Sequence, residues 1–243
     1  MAKLLIVESD TKLQEIFTEL LTYSDFDYDI VSSYKEAQLL LKRWRYEFAI
    51  TDLELIDSAD GQIISLFNRH NVAPIIFAQE IDEDFLEAYE SAKIADYLVK
   101  DNESSIPLVL EKLAQLKRNK DITLLVVDDS ILYANFIKQN LVIQKFKVLT
   151  APNGEVALER LKNHPEVKLL ITNHRMKPID GVALTQEVRD FRSSKELPIL
   201  ALTTHNDAET TSLFLQYGAN DYLMKPFIRD ELYEKVYENL NLN

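Results

Sequence analysis

The chain has 243 residues and a formal net charge of −13, a balance that argues against nucleic acid or an anionic membrane surface as a direct partner. It contains no Cys, which excludes disulfides and thiolate metal sites, and no run of 18 apolar residues that would read as a membrane span. The length suits one large or two ordinary domains, and with 47% hydrophobic residues each half could bury a full core.

Leu4–Val7 is a short apolar run of the kind that forms a buried parallel strand, and it ends at Glu8-Ser9-Asp10. The start of the chain reaches an acid too early for a signal peptide. Leu13, Ile16, Phe17, Leu20 and Leu21 recur at helical spacing over 12–23, with Asp10 or Thr11 as the expected N-cap. A second strand is expected at Tyr28–Val31, a helix at Tyr34–Trp44, and a third strand at Glu47–Thr51, which ends in Asp52. Gly61 precedes a helix that includes Ile63–Phe67. Pro74–Ala78 reads as the fourth strand, Asp82–Glu90 as a helix, and Asp96–Val99 as the fifth strand, stopping at Lys100. Ile106–Leu116 closes this half as a helix with Pro107 in its first turn.

The pattern then restarts. Leu124–Val127 runs into Asp128-Asp129, and Lys168-Leu169-Leu170-Ile171-Thr172 runs into Asn173. Pro198–Leu202 ends in Thr203-Thr204, and Asp221–Met224 ends in Lys225-Pro226. Val7 and Val127 lie 120 residues apart, as do Gly61 and Gly181, while Lys100 and Lys225 lie 125 apart. A repeat of this length is a domain rather than a solenoid unit. Residues 1–118 and 122–243 are therefore expected to form two domains. Each reads as an α/β, doubly wound, flavodoxin-like (βα)5 unit with a parallel sheet in the order 2-1-3-4-5. The junction, Leu116 to Asp121, has no Gly, Pro or Ser and is expected to be short and stiff, as a helix extension.

In open parallel sheets, ligands bind beyond the carboxyl ends of the strands, and that is where the polar residues fall. Two acids, an amide, a hydroxyl and an amine terminate four apolar runs of the second half. This order closely resembles the receiver domain of two-component response regulators, and the resemblance covers essentially the whole chain, twice. It implies phosphoryl transfer from a donor onto a strand-end carboxylate, with Mg²⁺ screening the clustered charge. In the first half it places Asp52 at the phosphoacceptor position, Lys100 at the phosphoryl-pairing lysine, and Gln79 and Tyr97 at the switch positions. Glu8 and Asp52 are the implied metal ligands there. Ser9 replaces the usual second acid, with Asp10 either a substitute ligand or a helix cap, Asp101 replaces the proline after the lysine, and the loop from Asp52 to Gly61 is one residue longer than its counterpart. In the second half Asp128 and Asp129 stand as metal ligands, Lys225 as the pairing lysine, and Thr203 and Tyr222 at the switch positions. Only the acceptor departs, as Asn173, and an amide forms no acyl phosphate. His164, His174 and His205 lie in unrelated segments and are read as neither catalytic nor metal ligands.

The resemblance implies a cytoplasmic signalling module that works by protein contact rather than by turnover. Its implied partners are a histidine kinase or phosphotransfer protein and an output domain or partner protein, with a homodimer as a further option. The alternative is the regulatory fragment of a longer response regulator such as a diguanylate cyclase. A flavodoxin-like nucleotide or flavin binder is a distant alternative. It would need a Gly-rich loop after the first strand, whereas both such loops here are acidic and the chain has only 4 Gly.

Overall fold

Runs of β-branched and aliphatic residues separated by amphipathic helices give an alternating βα chain. The computed structural model describes residues 2–58, 61–89, 92–101, 105–204 and 208–242. The chain divides into two units, Met1–Lys117 and Arg118–Asn243. The first contains β1 (Ala2–Val7), α1 (Thr11–Leu21), β2 (Phe26–Val31), α2 (Tyr34–Arg43) and β3 (Phe48–Thr51). It continues with α3 (Gln62–Arg69), β4 (Pro74–Ala78), α4 (Glu83–Tyr89), β5 (Asp96–Val99) and α5 (Ser105–Asn119). The second contains β6 (Thr123–Val127), α6 (Ile131–Ile143), β7 (Lys147–Ala151), α7 (Gly154–Asn163) and β8 (Val167–Asn173). It ends with α8 (Gly181–Arg189), β9 (Ile199–Thr204), α9 (Ala208–Gln216), β10 (Asp221–Lys225) and α10 (Arg229–Leu240).

Each unit holds a five-stranded, all-parallel sheet, in the order β2-β1-β3-β4-β5 and β7-β6-β8-β9-β10. These are two flavodoxin-like α/β units, as the pattern predicts. Helix α5 runs three residues past Leu116, so the stretch without helix breakers is helical as far as Asn119. Among the described residues, no helix is long and apolar enough to cross a membrane.

The central strands are largely apolar because both faces are covered. Along β6 and β8, Leu125, Val127 and Leu170 face Leu161, Leu184 and Val188 on one side of the sheet. The alternate residues Leu124, Val126, Leu169 and Ile171 face Ile137, Leu141, Leu232 and Val236 on the other. In the first unit Leu5, Val7 and Ala49 pack against Ala37, Leu41, Ile63, Leu66 and Phe67. This period-two division fixes the register, because a slip of one residue would exchange the two faces.

Helix starts bring the loops to the carboxyl ends of the strands. Asp10 caps α1, accepting from the amides of Lys12 and Leu13, and Ser130 caps α6 by accepting from Tyr133. The longer loop after β3 is tied down by Asp57, whose carboxylate accepts from the amides of Tyr34 and Lys35 at the start of α2. Its counterpart after β8 is held by backbone instead, with the amide of Gly154 donating to the carbonyl of Ile179.

The two glycines that match in the repeat serve different needs. Gly61 has φ 67°, a left-handed conformation, with open space where a Cβ would stand. At Gly181 a Cβ would overlap the carbonyl oxygen of Asn173 and meet the Phe214 ring at 2.8 Å. Gly181→Ala is expected to push α8 away from the end of β8 and to cost about 1–3 kcal/mol or more. Gly61→Ala should cost about 1–2 kcal/mol from backbone strain alone. Urea unfolding of both variants, with crystal or NMR comparison at Asn173, checks the ranking. Gly218 has φ 99° before β10, as its cap role requires, whereas Lys93 is not among the residues with positive φ.

Candidate functional site

In the first unit, β1 is followed by Glu8, β3 by Asp52, and β5 by Lys100. The three side chains meet in a buried cluster, only 2%, 7% and 9% exposed in that order. Lys100 Nζ lies 2.8 Å from Glu8 Oε2 and also donates to Asp52 Oδ2. The Phe77 ring lies beside the ammonium, 5.4 Å from Nζ to the centroid. The remaining oxygens are used locally: Glu8 Oε1 accepts from the amide of Asp10, and Asp52 Oδ1 accepts from the amide of Glu54. A charged amine between two carboxylates is the arrangement that makes burial of all three tolerable.

The second unit repeats this geometry with different residues. Asp128 takes the place of Glu8, is 2% exposed, and accepts from the amide of Ser130 through Oδ1 at 2.9 Å. Lys225 Nζ donates to Asp128 Oδ2 at 2.8 Å and to Asn173 Oδ1 at 3.1 Å. Asn173 Nδ2 donates to Asp129 Oδ1 at 3.2 Å and to the carbonyl of Arg175 at 3.3 Å. Reversing this amide would set its NH2 against an ammonium and its oxygen against a carboxylate, so local charge fixes which way it points. The Tyr133 ring stands 4.3 Å from Lys225 Nζ. Tyr133 and Phe77 are parts of the two mouths that the sequence alone did not single out. Their only signal was position: one on the first turn of α6, the other on the penultimate residue of β4.

The structure brings Glu8, Asp52 and Lys100 together, and likewise Asp128, Asp129, Asn173 and Lys225. Asp10 was open as a helix cap or a substitute ligand; its carboxylate caps α1. Gln79 is exposed just beyond β4. Tyr97 is half-buried, edge-on to Tyr89 at 4.8 Å and to Phe85 at 5.7 Å, and so packs into a small aromatic cluster. Tyr222 packs, partly buried, against the core on one face of the second sheet. Thr203 is 2% exposed, and its hydroxyl has no hydrogen-bond partner among the described residues. His164 pairs with Glu166 on the surface, His174 lies edge-on to Phe214, and His205 falls outside the described residues. Among the described residues, no three His or acidic side chains form a ready-made metal cluster.

Residues 124–237 match the response regulator receiver domain family. The chain is 36% identical over 121 residues to chemotaxis protein CheY1 of Helicobacter pylori, which covers 49% of this chain and 98% of that protein. It is 35% identical over 114 residues to the chemotaxis protein CheY homolog of Campylobacter jejuni, which covers 46% of this chain and 88% of that protein. The crystal structure of a two-component system response regulator/GGDEF domain protein matches with a TM-score of 0.84 and 28% identity. That match covers 99% of this chain and 98% of the other. Two parallel (βα)5 units, each with a lysine bridging the ends of its first and third strands, and these relatives place the chain in the receiver domain family of response regulators, whose work is two-component signalling.

Proposed function

We propose that the chain is a tandem-receiver module in which the parts of a working receiver are divided between the two units. The first carries the acceptor carboxylate, Asp52, paired with Lys100. The second carries the acid pair, Asp128 and Asp129, with Lys225 and the switch hydroxyl of Thr203, but presents an amide at residue 173. The observation that carries this reading is the shared constellation: one lysine bonded both to the acid after the first strand and to the residue ending the third. Such a module acts by phosphorylation- and cation-dependent contacts with other proteins rather than by turnover. A histidine kinase or phosphotransfer protein supplies the phosphoryl group, an output domain or partner reads the result, and the cytoplasm is the proposed setting. The full-length likeness to a response regulator/GGDEF domain protein favours one context in particular, the regulatory segment of a diguanylate-cyclase-type protein.

The donor chemistry suits Mg²⁺ better in the second unit. Asp128 and Asp129 offer hard carboxylate oxygens, the Asn173 amide can add its carbonyl oxygen, and Asp129 is exposed enough to take a hydrated ion. In the first unit the neutral Ser9 stands where Asp129 stands in the second, and Asp10 is committed to its helix. A bound Mg²⁺ would supply charge neutralisation at the mouth, and Asp128 and Asp129 would hold it. Titration of Mg²⁺ against the full chain, followed by calorimetry, should lose the tighter site in Asp129→Ala and keep it in Asp52→Ala. The opposite pattern would reverse the assignment of the two mouths.

A further inference from the structure

Asn173 stands in an environment that polarises its own amide bond. Its carbonyl oxygen faces the Lys225 ammonium at 3.1 Å, and its nitrogen faces the Asp129 carboxylate at 3.2 Å. The residue is half-buried and Asp129 is exposed, so water reaches the carbon between them. These are the parts that amide hydrolysis needs: a cation where negative charge develops on oxygen, and a carboxylate that moves a proton to the leaving nitrogen. We infer that the second mouth slowly hydrolyses the side-chain amide of Asn173, so that residue 173 is a modification site converted in place to aspartate.

The step balances with water as the only co-reactant. Water oxygen adds to Cγ of Asn173 while Asp129 takes one of its protons, and Lys225 stabilises the negative charge on Oδ1. Collapse of this tetrahedral species breaks the Cγ–Nδ2 bond as Asp129 returns the proton to Nδ2. Ammonia leaves and takes the remaining acid proton, so the products are a carboxylate and ammonium. The usual alternative, attack by the following backbone nitrogen through a succinimide, is disfavoured because Asn173 is the last residue of a paired β-strand. Extended backbone holds that nitrogen away from Cγ. The chain carries an internal standard for that alternative route. Asn153 precedes Gly154, the sequence most prone to succinimide formation. In the fold, however, its side chain accepts from Val156, and the Gly154 amide is bonded to Ile179.

The signalling consequence rests on the reading of residue 173 as the acceptor position, since conversion would supply the missing nucleophile. The hydrolysis itself is read without any phosphoryl donor, so its failure is distinct from failure of that reading. Purified full-length protein is incubated at neutral pH, either folded or in urea, and digested with trypsin. The peptide from Leu169 to Arg175 is then followed by mass spectrometry for amide-to-acid conversion. In the folded chain Asn173 should convert faster than in urea and give aspartate rather than isoaspartate. Asn153 should show the reverse order and yield isoaspartate in urea. Asp129→Asn and Lys225→Met, each checked as folded by circular dichroism, should each slow conversion of Asn173 by about a hundredfold. Conversion no faster in the fold than in urea, an isoaspartate product, or wild-type rates in both variants would overturn the inference.

Discussion

Asn173→Asp is expected to turn the second unit into a phosphoryl acceptor. Wild type whose Asn173 amide is intact should take a phosphoryl group only at Asp52, and poorly. Every other component of the second mouth is in place. Lys225 is already bonded to the atom that would become the acceptor oxygen, Asp128 and Asp129 flank it, and the buried hydroxyl of Thr203 lacks a partner among the described residues. The substitution keeps the size and strand-end position of the side chain and changes only its nucleophilicity. It also replaces the N–H that now bonds Asp129 with an oxygen, so a favourable contact at 3.2 Å becomes a repulsive one. That repulsion should cost about 1–3 kcal/mol without a cation, and Mg²⁺ should relieve it. The variant's stability should therefore depend on Mg²⁺ more strongly than that of wild type. Intact mass after incubation with acetyl phosphate and Mg²⁺ tests this on Asp52→Ala and on the double variant Asp52→Ala, Asn173→Asp. The single variant, taken while its Asn173 amide is intact, should gain nothing. The double variant should gain a hydroxylamine-labile phosphoryl group, and if it does not, the second unit is not a receiver disabled at one position.

Lys100→Met should be the most destabilising single change at either mouth. It keeps the apolar stem beside Phe77 but removes the charge shared by Glu8 and Asp52, which are 2% and 7% exposed. Two carboxylates would then be buried together without a counterion, a situation that typically costs about 3–5 kcal/mol. The equivalent Lys225→Met strands only one buried acid, because Asn173 is neutral and Asp129 is exposed, and should cost about 1–3 kcal/mol. Trp44, the only Trp of the chain, lies in the first unit, so its fluorescence during urea unfolding reports that unit. Adding Glu8→Gln and Asp52→Asn to Lys100→Met should recover most of the loss. A Lys100→Met transition that coincides with wild type would mean that the three groups are not buried as one ionic cluster.

Much of this molecule is legible in its sequence for a simple reason. A strand covered on both faces must be apolar along its length, so the residue at which the apolar run stops marks the end of the sheet. Glu8, Asp52, Asn173, Thr203 and Lys225 were each found that way, and the structure sets each within one residue of a strand end. The repeat and the alternation of strand and helix carried the topology, because short right-handed crossovers leave few ways to arrange five parallel strands. Where local chemistry offered two roles, the sequence could not choose between them. Asp10 could cap a helix or face a cation, and which it does depends on where α1 begins relative to β1.

The sequence by itself determined the two flavodoxin-like units, the acids and lysines at their strand ends, and the absence of a carboxylate at residue 173. These follow from residue identity and from the periodicity of burial, both local properties. Only the tertiary structure decided that Gly61 relieves backbone strain while Gly181 makes room for the end of β8. It alone decided that Tyr97 is packed against Phe85 and Tyr89, and that the Asn173 amide bridges Lys225 and Asp129. Each of these depends on distances of a few ångströms between residues far apart in the chain. Such distances are set by how helices seat on the sheet, and no run of neighbouring residues encodes them.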